Sequence, residues 1–266
     1  MNEKNKPNEN RPKLGLKEHF RFSCRPGLAC FTKCCADVNI FLGPYDVLRL
    51  KNRLGMSSDE FLDRYTYILS TQNQIVPVVV LKMDESTPEK RCPFVTPEGC
   101  RVYEDRPWPC RMYPLDMDNA EKFSIIADPD RCLGLREDQD LRVIEWLEDQ
   151  GVLEYQRAAK VFSEITDDPK LQAIDVANPQ IKSMFTMASY NLDRFREFIL
   201  ETSFLDVFDL DENTIEQLRV DDSELLLFGL NWMRFGLFGE KTLTIKPEVL
   251  EARQARMKKT GAEEKA

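Results

Sequence analysis

The stretch Gly99-Cys100-Arg101-Val102-Tyr103-Glu104-Asp105-Arg106-Pro107-Trp108-Pro109-Cys110-Arg111-Met112-Tyr113-Pro114 decides how this chain is read. It is an irregular segment, and each of its two cysteines has a turn-forming neighbour, Gly99 before Cys100 and Pro109 before Cys110. The pattern continues outward. Pro93 follows Cys92, and Gly134 follows Cys132 by two residues. Upstream come Cys24, Cys30, Cys34 and Cys35, in the spacing C-x5-C-x3-C-C. All eight cysteines of this 266-residue chain therefore lie between positions 24 and 132, and the second half has none. Ordinary core cysteines would have no reason to avoid half a chain, so metal ligation or disulfide bonding is the common cause to weigh.

Three observations favour metal. Residues 1–13 form a polar run with two prolines and no apolar stretch, unlike a secretory leader, so a cytoplasmic, thiol-reducing location is expected. A chain of this length also buries a sizeable core without covalent staples. Finally, four thiolates are the complement of a structural zinc site or of an iron–sulfur cubane. The chain contains no C-x2-C pair and one histidine, His19, which is read as a surface or hydrogen-bonded residue. Irregular spacing suits a cubane better than a single ion, because its corner irons are spread over a larger body. A [4Fe-4S] cluster is accordingly favoured and Zn2+ is the alternative, with Cys24, Cys30, Cys34, Cys35, Cys92, Cys100, Cys110 and Cys132 as the candidate ligands. Side chains of consecutive residues point apart in extended chain, so Cys34 and Cys35 are awkward partners for one ion. They are suited to different irons of one cluster or to two sites.

Arg101, Arg106 and Arg111 are spaced to offset the negative charge of a tetrathiolate centre, and Tyr103 and Tyr113 to donate hydrogen bonds to sulfur. Arg106, Arg111 and Tyr113 are the candidate contacts of the bound group. Pairing with Glu104, Asp105 and Asp116 at the surface is the competing reading, and the favoured one for Arg101.

The fold expected is α+β, a small cysteine-rich region with short helices and a β-hairpin or small sheet, followed by a mainly α-helical half. The corresponding divisions are a disordered tail (1–13), a metal-binding domain (14–135), a helical region packed on it (136–250) and a charged tail (251–266). Pro44 to Leu54 reads as a helix ended by Gly55, and Ser57-Ser58-Asp59-Glu60 as a capping box for a helix through Tyr65. Ile75 to Met83 reads as an edge strand on account of Pro77, with Lys122 to Ala127 as its partner. Ile181, Met184, Phe185, Ala188, Leu192, Phe195 and Ile199 draw one apolar stripe along a helix capped by Asn178. Leu225 to Phe238 is apolar nearly all round, which means deep burial or an oligomer contact. A net charge of −9 and a pI near 5.0 argue against nucleic acid, and Leu225 to Met233 is too short to span a bilayer. Protein partner and oligomeric state are left open.

The combination of Cys34-Cys35, Cys92-Pro93-Phe94, Arg106-Pro107 and Cys110-Arg111-Met112-Tyr113-Pro114 resembles the YkgJ-type cysteine cluster family of zinc- or iron-chelating proteins, over residues 20 to 135. The resemblance implies metal chelation at an iron–sulfur centre. One departure is that the family opens C-x2-C-G-x-C-C, whereas here the first cysteines stand further apart and Lys33 precedes the pair, which makes Cys24 the least secure ligand. The function expected is a cytosolic metal-binding protein with a redox or structural iron–sulfur centre. A zinc-binding interaction module is the alternative. The enzymatic readings are an iron–sulfur oxidoreductase and, through a likeness to flagellin lysine N-methylases, a protein lysine methyltransferase. No Gly-rich strand-to-helix loop supports the latter, and C-x3-C-x2-C is absent. Thiol redox chemistry at Cys34 and Cys35 has little support, since a vicinal disulfide is strained.

Overall fold

The computed structural model describes residues 12–69, 75–119, 121–174, 178–252 and 255; of the expected tails, 1–13 and 251–266, all but residues 12, 13, 251, 252 and 255 lie outside them. The first elements in chain order are β1 (Lys13–Gly15), β2 (His19–Arg21), β3 (Phe41–Leu42), α1 (Pro44–Leu54), α2 (Ser58–Tyr65), β4 (Thr66–Leu69) and β5 (Val78–Leu81). They are followed by β6 (Val95–Thr96), β7 (Gly99–Cys100), α3 (Trp108–Met112), β8 (Leu115–Asn119), β9 (Lys122–Ile125), β10 (Asp140–Arg142), α4 (Val143–Asp149) and α5 (Val152–Thr166). The last are α6 (Pro179–Ser189), α7 (Leu192–Glu201), α8 (Phe204–Val207), α9 (Glu212–Val220) and α10 (Asp222–Phe238). The architecture is α+β, with small antiparallel sheets early and helices late. The chain gathers into two compact units. One comprises Met1–Leu54, Tyr65–Tyr67 and Val79–Ala158, the other Gly55–Arg64, Ile68–Val78 and Ala159–Ala266.

The first unit is built on short ladders with strand orders β1-β9-β8, β10-β2, β3-β5-β4 and β6-β7. Lys13, placed in the tail by sequence, instead starts β1 opposite Ser124, and its Nζ reaches Asp118 Oδ1 at 2.6 Å. Phe20 in β2 faces Leu141 in β10, and alternation along β2 and beyond turns Phe20 and Phe22 inward. Both rings meet Trp146 edge-on, at 6.1 and 5.2 Å. Met112, Leu115, Phe123, Val143 and Leu147 complete this core, and Cys132 lies within it. Each such apolar side chain contributes roughly 1.5–3 kcal/mol on burial, so the core holds the unit together although its strands are short.

Two expectations about strands need correction. β5 lies between β3 and β4, hence is central and not an edge strand. Pro77 precedes the strand, so its missing N–H breaks no ladder bond. The segment at Lys122 pairs with β8 and β1, not with β5. By contrast α1 spans the residues read from the sequence. Pro44 opens it, the Asp46 carboxylate accepts from the Gly43 N–H at 2.8 Å, and Gly55 takes φ +64° just beyond its end.

In the second unit the caps are local and explicit. Glu60 N–H donates to Ser57 Oγ at 3.2 Å, Gln180 N–H to Asn178 Oδ1 at 2.9 Å, and Ser223 N–H to Asp221 Oδ1 at 2.7 Å. The stripe from Ile181 to Ile199 belongs to two helices. The first ends at Ser189, and Asn191 caps the second by accepting from Arg194 N–H at 3.3 Å. The apolar spacing carries across the break because both helices bury the same kind of face. Gly229 on α10 lies where a Cβ would stand 2.6 Å from the Ala188 carbonyl oxygen, so close packing of α10 on α6 requires glycine there. Phe198 and Phe204 pack on Trp232 at 5.3 and 6.2 Å. α10 is not apolar-buried all round: Leu225 and Met233 are buried while Leu227 is exposed. Among the described residues no helix is long and apolar enough to cross a membrane.

Candidate metal centre

The eight cysteines all lie in the first unit, and all are free thiols. From Arg25 to Cys35 the chain is a succession of tight turns. Phe31 N–H donates to the Leu28 carbonyl at 2.9 Å, Lys33 to Cys30 at 3.0 Å and Cys35 to Thr32 at 3.1 Å. Thr32 adopts φ +64°, uncommon for a β-branched residue, and its hydroxyl accepts from Arg91 Nη2 at 3.2 Å. That bond fastens the turn between Cys30 and Cys34 to the segment leading into Cys92.

Two backbone frames then hold cysteines from distant parts of the chain. In the first, Cys92 N–H donates to the Cys35 carbonyl at 2.8 Å, Val95 N–H to the Cys92 carbonyl at 3.1 Å, and Val95 stands opposite Cys100 in the β6–β7 hairpin. Gly99 turns this hairpin at φ +131°, and a Cβ there would rest against the Phe31 ring. Cys110 sits in α3, whose first N–H, on Trp108, donates to Asp46 Oδ1 at 2.8 Å. In the second frame, Ser23 N–H donates to the Gly134 carbonyl at 3.0 Å, and a Cβ on Gly134 would stand 2.9 Å from the Ser23 carbonyl oxygen. Cys132 is held by its own N–H to Asp128 at 2.7 Å and by Leu135 N–H to its carbonyl at 3.2 Å. The glycine therefore lets the Cys24 and Cys132 segments touch.

Electrostatics follow these frames. The Cys35 thiol donates a hydrogen bond to Cys34, which draws Cys34 down to about 7 and pushes Cys35 up, with burial and the charges of Cys34, Cys92 and Cys110 adding to the rise. Burial, then the neighbouring Cys92 and Cys100, pushes Cys110 up to about 12. Desolvation raises Cys92 and Cys100, opposed by the backbone N–H groups of Phe94 and Val95 at Cys92 and of Val102 at Cys100. Desolvation, followed by Cys34, Cys30 and Cys132, moves Cys24 up to about 11. The Tyr113 hydroxyl is raised by desolvation and by the hydrogen bond it donates to Cys132, with Cys34 and Cys24 also acting on it.

The arginines divide. Arg101 donates to Tyr65 Oη at 3.2 Å and lies over the Phe94 ring at 5.3 Å, in place of the surface ion pair expected for it. Arg106 and Arg111 are buried. Arg111 donates to the carbonyls of Arg106 (2.9 Å), Gln150 (2.7 Å) and Glu104, and to Tyr155 Oη (3.1 Å). Arg106 donates to the Tyr103 carbonyl and the Gln150 side chain, and covers the Tyr103 ring at 3.9 Å. Tyr103 is exposed, and its ring carries this cation–π contact. Among the described residues Asp105 pairs instead with Arg49 at 2.7 Å, and Asp116 accepts from Met117 N–H. Burial lowers Arg106, with Arg111 acting in the same sense, while Tyr103, Cys110 and Cys100 act in the opposite one. His19 is exposed and contacts Asp140 at 2.6 Å.

Residues 23–133 match a family model, CxxCxxCC, described as "Putative zinc- or iron-chelating domain". The matched segment carries all eight cysteines. The match supports a metal-binding role for the cysteine-cluster domain and leaves zinc and iron both in play. No curated protein and no solved structure matches the chain.

The domain's donors fit a thiolate-held metal in chemistry: eight sulfurs outside any disulfide, three backbone amides directed at two of them, Cys92 and Cys100, and a buried guanidinium acting on Cys100 and Cys110. Two buried indole N–H groups, of Trp108 and Trp146, also find no acceptor among the described residues, a cost of about 1–3 kcal/mol each unless a bound group supplies one. Among the described residues no three His, Cys, Asp or Glu side chains close around a single ion position. Sequence reasoning missed these two tryptophans and Gln150, because burial without an acceptor leaves no mark in residue order.

Proposed function

We propose that the cysteine-cluster domain holds an iron–sulfur centre of the [4Fe-4S] type, in a cytosolic protein where that centre has a redox or structural role. The supporting observation is Arg106. Its guanidinium is buried beside a second buried cation, Arg111, and the ionisable groups that act to favour its charge are Tyr103 and the thiols of Cys110 and Cys100. A buried charge needs a partner, and a metal bound by four thiolates carries the negative charge that would balance one. Iron–sulfur is favoured over zinc by the absence of C-x2-C and the spread of these cysteines over separate turns and a hairpin.

A bound cluster would supply one-electron chemistry or structural cross-linking. The chain's own residues would hold it: cysteines as ligands, Arg106 and Arg111 offsetting its charge, and Tyr113 donating to the Cys132 sulfur. The test is iron, zinc and sulfide analysis of anaerobically purified protein, with electron paramagnetic resonance after reduction. A brown protein with broad absorption near roughly 400 nm and equimolar iron and sulfide is expected. Colourless protein with stoichiometric zinc would replace the iron–sulfur reading by the zinc one.

A further inference from the structure

We propose that Trp146 donates its indole N–H to a sulfur of the metal centre that Cys132 helps to hold. The proposal rests on the metal-binding reading above and deepens it, by naming a contact to that centre from outside the cysteines.

The starting point is a buried donor. Trp146 is 9% exposed, and its Nε1 has no hydrogen-bond partner among the described residues. A tryptophan inside a core usually finds one, and a phenylalanine would fill an apolar slot with no N–H to satisfy. The ring is also held in place. α4 is pinned at its start, where the Val143 and Ile144 N–H groups donate to the Glu18 and Leu16 carbonyls, each at 3.0 Å. Phe20 and Phe22 then meet the indole edge-on, both at an interplanar angle of 88°. An acceptor must therefore come to the indole.

The same surroundings hold Cys132. It is the one buried cysteine of the eight, and it lies in the core that contains Phe22 and Trp146. Phe22 links the two. A Cβ on Gly134, two residues past Cys132, would stand 3.0 Å from the Phe22 ring, and that ring packs edge-on against Trp146 at 5.2 Å and Tyr113 at 6.4 Å. A metal bonded to the Cys132 sulfur thus sits one bond from an aromatic core. Charge on a sulfur there needs donors, because rings leave it unbalanced. The Tyr113 hydroxyl supplies one, and the Trp146 N–H is available as another. N–H bonds to the sulfurs of such centres steady the bound form and tune its potential. Trp108 packs on this core too and its Nε1 is likewise unpaired, but Trp146 is the more enclosed of the two.

The test compares metal-loaded and metal-free full-length protein, prepared without oxygen, for the wild type and Trp146→Phe, which removes the N–H and keeps a ring. The loaded variant should give up its metal to a competing chelator about 10-fold more readily than the wild type. Without metal, the urea midpoints of the two should lie close together. A variant that retains metal as tightly as the wild type overturns the proposal. So does one weakened equally with and without metal, as packing alone or a buried water on the indole would have it. The unsubstituted protein gives a second reading that needs no folded Trp146→Phe. The chain has three tryptophans, so Trp108→Phe and Trp232→Phe assign the Trp146 indole signal in 1H–15N spectra by elimination. That signal should move on loading. A wild type that loads fully and leaves it in place overturns the Trp146 contact alone, whereas one that takes up no metal overturns the metal-binding reading and the contact with it.

Discussion

The helical unit and the cysteine-rich unit are stabilised in different ways. In the helical unit each turn of structure carries its own local signal: Asn178, Asn191, Asp211 and Asp221 each cap the helix that follows. In the other unit, the segment from Arg25 to Cys35 has neither helix nor strand, and Thr32, Asp37 and Lys90 all take positive φ around it. Non-glycine residues seldom adopt that backbone region, and holding them there costs of order 1–3 kcal/mol each. The contrast teaches that order in one unit is written residue by residue, whereas in the other it depends on long-range bonds and on whatever gathers the sulfurs.

Metal removal should separate the two most sharply. With an anaerobic chelator, amide hydrogen exchange should rise steeply across residues 23–133 while amides of α6, α7 and α10 stay protected. Equal loss of protection in both would erase the distinction. Next in size is Arg111→Met, which strips donors from three backbone carbonyls and should cost about 3 kcal/mol or more in urea unfolding of the first unit.

Asp46 gives a pH test. Burial, opposed by the Trp108 and Gly43 N–H groups and by Arg111, lifts its carboxyl to about 6, above the ordinary range near 3.9. A carboxyl raised on folding favours the folded chain while protonated, so its contribution is fully present below about pH 4 and is lost as pH rises through 6. Asp46→Asn cannot ionise and also turns a donor toward one of those amides. It should be less stable than the wild type at pH 4, with the gap narrowing by up to about 3 kcal/mol toward pH 7. The smallest effect belongs to Asp221→Ala, whose lost cap on α10 should cost about 1 kcal/mol with metal content unchanged.

How much was legible in the sequence follows the same contrast. α1 with Gly55, the Ser57 cap and the Asn178–Pro179 start could be read because each signal lies within a few residues of its effect. The break at Tyr190 and Asn191 could not, since apolar spacing continues through it. Strands of two to four residues, such as β1 and β6, are too short to show a period, and one of the two partners of β5, β3, lies on the far side of two helices in sequence. At the candidate site the residue types were visible, but not their grouping. That grouping rests on contacts such as Ser23 with Gly134, more than a hundred positions apart. Burial of Arg106 and Arg111 was equally hidden, since arginine is usually an outside residue.

The adjoining pair Cys34 and Cys35 has one more consequence. With its thiol held low, at about 7, by the proton its neighbour donates, Cys34 is the sulfur most readily ionised near neutral pH, so an alkylating reagent added to metal-free protein should label it ahead of Cys24, Cys35 and Cys110.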